Sequence, residues 1–274
     1  MKKTSLRARL LSAPYIVWAA IFIVVPLFIV VYYAFTDRSG AFSLSNITAL
    51  ADYKDTFIIS VWYSVIATVI TLVIAYPFAY ALSRFGANTQ RMMMLLVMLP
   101  MWMNLLIRTY SWMNILERNG IINNVLAGFG IEPLKMIGTP GAVILGMVYN
   151  YLPYMILPIY TVMSKLDITL LEAADDLGAN AFQRLRTLVI PLSMPGVISG
   201  ITMVFVPSVS TFYISQKLGG GKIMLIGDAI ERQIQQQYNY NLGASISLVL
   251  MVMILISMAI MNRFASDDAE RLVV

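Results

Sequence analysis

Neither histidine nor cysteine occurs in these 274 residues. Imidazole acid/base relays, thiolate nucleophiles, Cys/His metal sites and disulfides are thereby excluded. What remains for chemistry is a small set of carboxylates, cations and aromatic rings. Gly221-Lys222 has the form of the end of a phosphate-cradling loop. Ile223, however, stands where that loop needs Ser or Thr, and Gln216 stands where its first glycine belongs. Nucleotide is therefore not expected there. Rings able to hold a cation on their faces, each for about 0.5–2 kcal/mol, are Trp102, Tyr110, Trp112, Tyr149, Tyr151, Phe212 and Tyr213. The competing reading of such rings is an aromatic belt at a membrane surface. Asp228 and Glu231 are carboxylates placed at the mouth of any passage. Arg108 is a lone cation within an apolar run, about eight residues or roughly 12 Å from its outer end. From there it can pair with polar groups, snorkel to head groups or gate an outer mouth.

The elements that must position these groups are membrane spans. Hydrophobic residues make up 59% of the chain and charged residues 12%, with a mean hydropathy of +0.77. A soluble domain carries roughly 25% charged residues, so the solvent of this chain is mostly lipid. Crossing a bilayer takes about 20 apolar residues. Runs of that kind are Leu10–Thr36, Thr56–Ser83, Met92–Leu116, Met136–Ser164, Thr187–Gln216 and Leu242–Met261. The expectation is an all-α, polytopic membrane protein of six helices forming one domain over residues 1–274. The first run follows Met1-Lys-Lys but is too long for a signal-peptide core, so it is read as a retained span.

With the N-terminus inside, one side holds Lys2, Lys3, Arg7, Arg9, Arg84, Arg91, Lys165, Arg184, Arg186, Arg263 and Arg271, eleven in all. The other holds seven: Arg38, Lys54, Arg118, Lys135, Lys217, Lys222 and Arg232. The bias places both termini in the cytoplasm. It also assigns the net charge of +5 to loops instead of to nucleic acid. Pro26, Pro77, Pro100, Pro153, Pro158, Pro195 and Pro207 fall in or beside the spans. Each interior one removes a hydrogen bond, and a kink is expected there. Gly196 and Gly200 have the G-x-x-x-G spacing of close helix packing.

The segment from Lys165 to Pro191 carries most information. Thr169 and Glu172 have capping-box spacing, and Leu170, Leu171, Ala174 and Leu177 form one apolar side. Gly178 ends that short helix. Asn180 caps a second one, with Phe182, Leu185 and Val189 at helical spacing and Pro191 as its stop. Two short helices meeting at a glycine make a projection that a soluble partner can grip; the alternative is an ordinary interfacial loop.

This segment resembles the cytoplasmic signature of ABC importer permeases. That signature is glutamate-alanine-alanine, three residues, glycine, nine residues, then aliphatic-x-aliphatic-proline. Glu172, Ala173, Ala174, Gly178 and Pro191 stand at its spacing, with Leu188 and Ile190 as the aliphatic pair. The resemblance implies a type I importer fold of the MetI-like kind and docking of residues 165–191 into a groove of a separate ATPase. Arg184 and Arg186 would be ionic partners there. ATP and magnesium would belong to that ATPase, with no cofactor in this chain.

Beyond the signature, the chain is similar to the spermidine/putrescine permeases. The similarity runs through Leu99–Tyr110, Asn123-Asn-Val-Leu, Leu152-Pro-Tyr-Met, Leu171–Ala179 and Phe212-Tyr-Ile-Ser to Leu225-Ile-Gly-Asp. It implies a polyamine importer in an inner membrane, built with a second related permease, two ATPase subunits and an extracytoplasmic binding protein. The named spans contain no Asp or Glu, so the rings above are the substrate-path candidates, with Arg108 and Asp228 beside them. Permeases for sulfate, molybdate, ferric iron or thiamine share the same loop. A proton-coupled carrier or channel would need intramembrane titratable groups, and an intramembrane enzyme would need a nucleophile–base pair; neither set is present in the spans.

Overall fold

A computed structural model describes residues 14–271, without the side chains of residues 262 and 264–271. Lys2, Lys3, Arg7, Arg9, the start of the first span at Leu10 and the side chain of Arg271 lie outside the described residues. Among the described residues there is no β-strand, only an isolated bridge between Thr36 and Phe42. The described residues are organised by the helices α1 (Pro14–Ala34), α2 (Lys54–Ser83, preceded by the helical turns Ser45–Thr48 and Ala49–Tyr53), α3 (Ala87–Trp102), α4 (Leu105–Leu116), α5 (Ile121–Gly128), α6 (Pro140–Met163), α7 (Ile168–Asp176), α8 (Ala181–Val209), α9 (Tyr213–Leu218), α10 (Ile226–Glu231) and α11 (Tyr240–Arg271). Among the described residues, five segments are long and apolar enough to cross a membrane. There are six if α3 and the Leu105–Gly128 segment, bent by 91° to each other, count as one span.

The third span is thus not the single helix expected over Met92–Leu116. Pro100 leaves the last turn of α3 short of an N–H donor. Met103 and Asn104 are then extended, and the Asn104 side chain accepts from Leu106 N at 2.7 Å, capping α4. A new cap so close to a weakened helix end turns one span into two.

Two other prolines are absorbed without a break. Residues 20–24 and 185–189 each form a π-turn, closed by Val25 N–H to Ala20 O and Ile190 N–H to Leu185 O. Pro26 and Pro191 follow these turns at the same offset. Widening the helix by one residue relieves the clash with the preceding turn and re-pairs the backbone. Pro191 therefore does not stop the helix, as its sequence position suggests. It sits at the start of the α-helical part of α8, which runs on to Val209. Pro77, Pro153, Pro158, Pro195 and Pro207 all lie inside continuous helices.

The described parts fall into two compact units. One comprises the described residues up to Asp55 with Ala229–Val252. There, Asn241 Nδ2 donates to Thr36 O at 2.8 Å and Ser245 Oγ donates to Ala34 O at 3.0 Å. These buried bonds tie α11 to the end of α1, where the backbone leaves helical pairing and needs partners.

The other unit, Thr56–Asp228 with the described residues from Met253 onward, holds the larger core. On α2, Ser60, Ser64, Ala67, Thr68, Thr71, Ala75 and Ala79 are buried, a stripe of small residues at helical spacing. The hydroxyls of Ser60, Ser64, Thr68 and Thr71 donate one turn back, at 2.6–2.7 Å, so none is left unpaired. Trp62, Val69, Val73 and Ile74 point outward, as lipid-facing residues do. Around α6 and α8 the approach is closest. A Cβ on Gly196 would stand 2.8 Å from Pro158 O, and one on Gly200 would stand 2.6 Å from the Met155 sulfur. The G-x-x-x-G spacing is a packing device here.

Gly196→Ala is expected to cost about 1–3 kcal/mol, because the neighbour it meets is backbone. Gly128→Ala, at the end of α5 with nothing within 4 Å, is expected to be neutral or slightly stabilising. Thermal unfolding of the two variants in detergent checks the contrast.

Candidate functional site

The loop between α6 and α8 is built around α7. Its N-cap is Asp167, whose side chain accepts from Thr169 N at 3.0 Å. The expected capping box on Thr169 and Glu172 is not used. A carboxylate two residues earlier is an equally competent acceptor and is already in place. The backbone bond to Thr169, ahead of that residue's hydroxyl, holds the Asp167 carboxyl below its ordinary value. Asp167 is thus ionised at neutral pH; its contribution is complete above the unfolded value and is lost as pH falls through the lowered one.

At the other end Gly178 has φ +80°, and the N–H groups of Gly178 and Ala179 reach back to Asp175 O and Ala174 O at 2.9 and 3.0 Å. This is a Schellman closure, and only glycine takes that φ cheaply. Asn180 then caps α8 in a reciprocal box with Gln183, at 2.8 and 2.9 Å. The turn is doubly specified.

Of the four residues read as the apolar side of α7, only Leu171 is buried, at 9% exposure. It packs into the cluster containing Leu82, Met163 and Val189, pinning the loop to the bundle. Leu177 is 88% exposed and Phe182 69% exposed, with Ile168 and Leu170 also open. Glu172 and Ala173 are exposed and Ala174 is half-buried. Arg184 is engaged within the loop itself: its Nη1 donates to both Asp175 carboxylate oxygens, at 2.6 and 2.5 Å. It clamps α7 to the start of α8 and is not a free ionic arm, whereas Arg186 is exposed. Beneath the loop lies a cleft of about 480 Å³ with Arg84, Gln90, Glu172 and Asp175 in its wall. Gln90 ties this end together, donating to Phe85 O at 2.7 Å and accepting from Tyr160 OH at 2.8 Å.

The aromatic candidates separate into pairs. Trp112 and Tyr149 stack edge-on with centroids 5.3 Å apart, and Tyr110 and Tyr213 do so at 6.2 Å. Tyr151 meets Tyr154 at 6.4 Å, and its hydroxyl donates to Pro207 O at 3.2 Å. Trp102 and Phe212 are exposed and join none of these pairs. Asp228, expected at an open mouth, is buried: its Oδ2 accepts from Leu225 N at 2.7 Å, helping start α10. Arg108 is likewise buried, with 7% exposure, and does not snorkel; among the described residues its Nε and Nη1 have no hydrogen-bond partner.

Within two of the runs shared with the spermidine/putrescine permeases, several residues are packing and bonding elements. Asn123 is buried and bonds Glu117 O, Leu134 O and Leu134 N at 2.9, 3.0 and 2.8 Å, stapling the loop after α4. Ile214, Leu218, Leu225 and Ile226, within and between α9 and α10, are fully buried.

A bundle of apolar helices with a capped, charged projection between two closely packed spans is the architecture of an inner-membrane transport subunit, all-α and multi-pass. The chain belongs to the family of binding-protein-dependent transport system inner membrane components, whose match covers residues 75–266. It is 37% identical over 228 residues to the spermidine/putrescine transport system permease protein PotB of Haemophilus influenzae, covering 79% of each chain. It is 35% identical to PotB of Escherichia coli K12, over 79% of this chain and 82% of that one. A solved bacterial alginate ABC transporter, in complex with an alginate-pentasaccharide-bound periplasmic protein, superimposes with a TM-score of 0.76 over 95% of this chain and 93% of that one. At 16% identity this likeness bears on the fold, which is that of the ABC importer permeases.

Leu171→Ala should free the loop while leaving the spans folded, at a cost of about 2–5 kcal/mol for a buried leucine. Hydrogen exchange of the α7 amides should rise well above that of α6 and α8. Equal protection in both proteins would show that Leu171 is not the anchor.

Proposed function

We propose that this chain is the permease subunit of an ATP-driven polyamine importer, forming half of the translocation pathway for spermidine or putrescine. The similarity to PotB over four fifths of both chains carries this reading. A second, related permease would supply the other half, and a periplasmic binding protein would deliver cargo. ATP and magnesium would be bound by a dimer of ATPase subunits, and this chain would hydrolyse nothing itself.

The loop of residues 165–191 is the docking element for the ATPase. Its open apolar residues Leu177 and Phe182 offer contact area, Glu172 and Arg186 offer charge, and Leu171 passes the partner's movement to the core. Both termini lie in the cytoplasm, as the distribution of basic residues favours. Cargo passes over aromatic faces instead of carboxylates, since weak sites both admit and release an ammonium group. The buried, incompletely paired Arg108 is the one observation favouring an anionic cargo such as sulfate.

Uptake of labelled spermidine and of sulfate by proteoliposomes holding the full complex tests this. ATP-dependent spermidine uptake is expected, falling about ten-fold or more with Glu172→Lys, the size of a lost interfacial charge contact. Sulfate uptake in its place would replace the cargo, and uptake without ATP would replace the class.

A further inference from the structure

The Tyr110–Tyr213 pair is already occupied by a cation. Tyr213 and Lys217 lie four residues apart on α9 and so share a face, while Tyr110 approaches from α4. Lys217 Nζ stands 5.2 Å from the Tyr110 centroid and 5.7 Å from that of Tyr213. Both distances are within the roughly 6 Å over which a ring face attracts an ammonium group. The rings meet edge to face, at 78°, so a single cation is shared between them. Among the described residues no ion pair engages Lys217. Its charge faces the two rings. The site lies at the opposite end of α8 from the loop of residues 165–180.

We propose that Tyr110 and Tyr213 form a binding site for a primary ammonium group, and that Lys217 is its built-in competitor, leaving when a cargo ammonium arrives. This inference rests on the polyamine reading above. The lysine head is chemically the same as the end of a diamine or polyamine, so a site that seats one seats the other. Its flexible four-carbon stem lets it withdraw without backbone movement. While it is seated, no ammonium is missing from the rings and the pair is not left as an empty sink. A cargo with several ammonium groups displaces a singly tethered one by binding at more than one point. The cost of this arrangement is a weaker apparent affinity for cargo.

The test is the KM for labelled spermidine in proteoliposomes of the full complex. Lys217→Met and Lys217→Gln are each expected to lower KM by about two- to five-fold, the worth of one exposed cation–ring contact. In a Tyr110→Leu/Tyr213→Leu background the same substitutions are expected to change nothing, because the shared site is gone. An unchanged or raised KM with both lysine variants would overturn the proposal. So would a gain that survives loss of both rings, since that would be long-range charge repulsion. Wild-type complex that takes up no spermidine would instead sink the polyamine reading itself, so the two failures are distinguishable.

Discussion

The close approach of α6 and α8 is the contact on which the rest of this architecture depends. Gly196 and Gly200 leave no side chain between the helices, so Pro158 O and the Met155 sulfur come to where a Cβ would stand. In lipid there is little hydrophobic gain from pairing helices, and tight van der Waals contact must supply the attraction. These are also the two helices that flank the loop of residues 164–180. Their separation therefore sets the width of the base from which α7 projects. A loosely packed pair would let the loop move without the spans; a closely packed one makes loop and spans move together.

The second constraint is that every backbone group in lipid needs a partner inside the chain. The prolines in and beside the spans strain that requirement, and the chain meets it in different ways. π-turns before Pro26 and Pro191 let the helices run on, whereas at Pro100 the helix ends and a fresh cap begins the next one. Residue type alone does not separate these outcomes. What differs is whether a capping side chain, here Asn104, lies within reach to compete with continuation of the helix.

Much of this was legible in the sequence, because the signals were local or periodic. Apolar run length located the spans, Gly178 and Asn180 marked the turn by their own backbone and capping preferences, and the paired glycines marked the tight helix contact. Tertiary facts were less visible. Nothing in the run Met92–Leu116 announces a 91° bend, and Asp167 outcompeted the expected Thr169 cap by proximity. Asp228 and Arg108 read as accessible charges, but their burial is decided by neighbours distant in sequence. Arg184 looked available to a partner, yet Asp175, nine residues earlier, holds it. The aromatic set was recognisable by type, but which rings pair, and that Lys217 joins one pair, follows only from the packing of α9 on α4.

The proposed function requires α7 and the turn after it to form a rigid surface that the ATPase covers. The natural absence of cysteine makes single-cysteine labelling clean. With Leu177→Cys and Phe182→Cys variants, the most direct measurement is the rate of thiol modification in membranes with and without the ATPase subunit. Strong protection of both thiols by the ATPase, and none at a lipid-distant control such as Asn119→Cys, is the predicted result. Modification at the same rate in both membranes would contradict it.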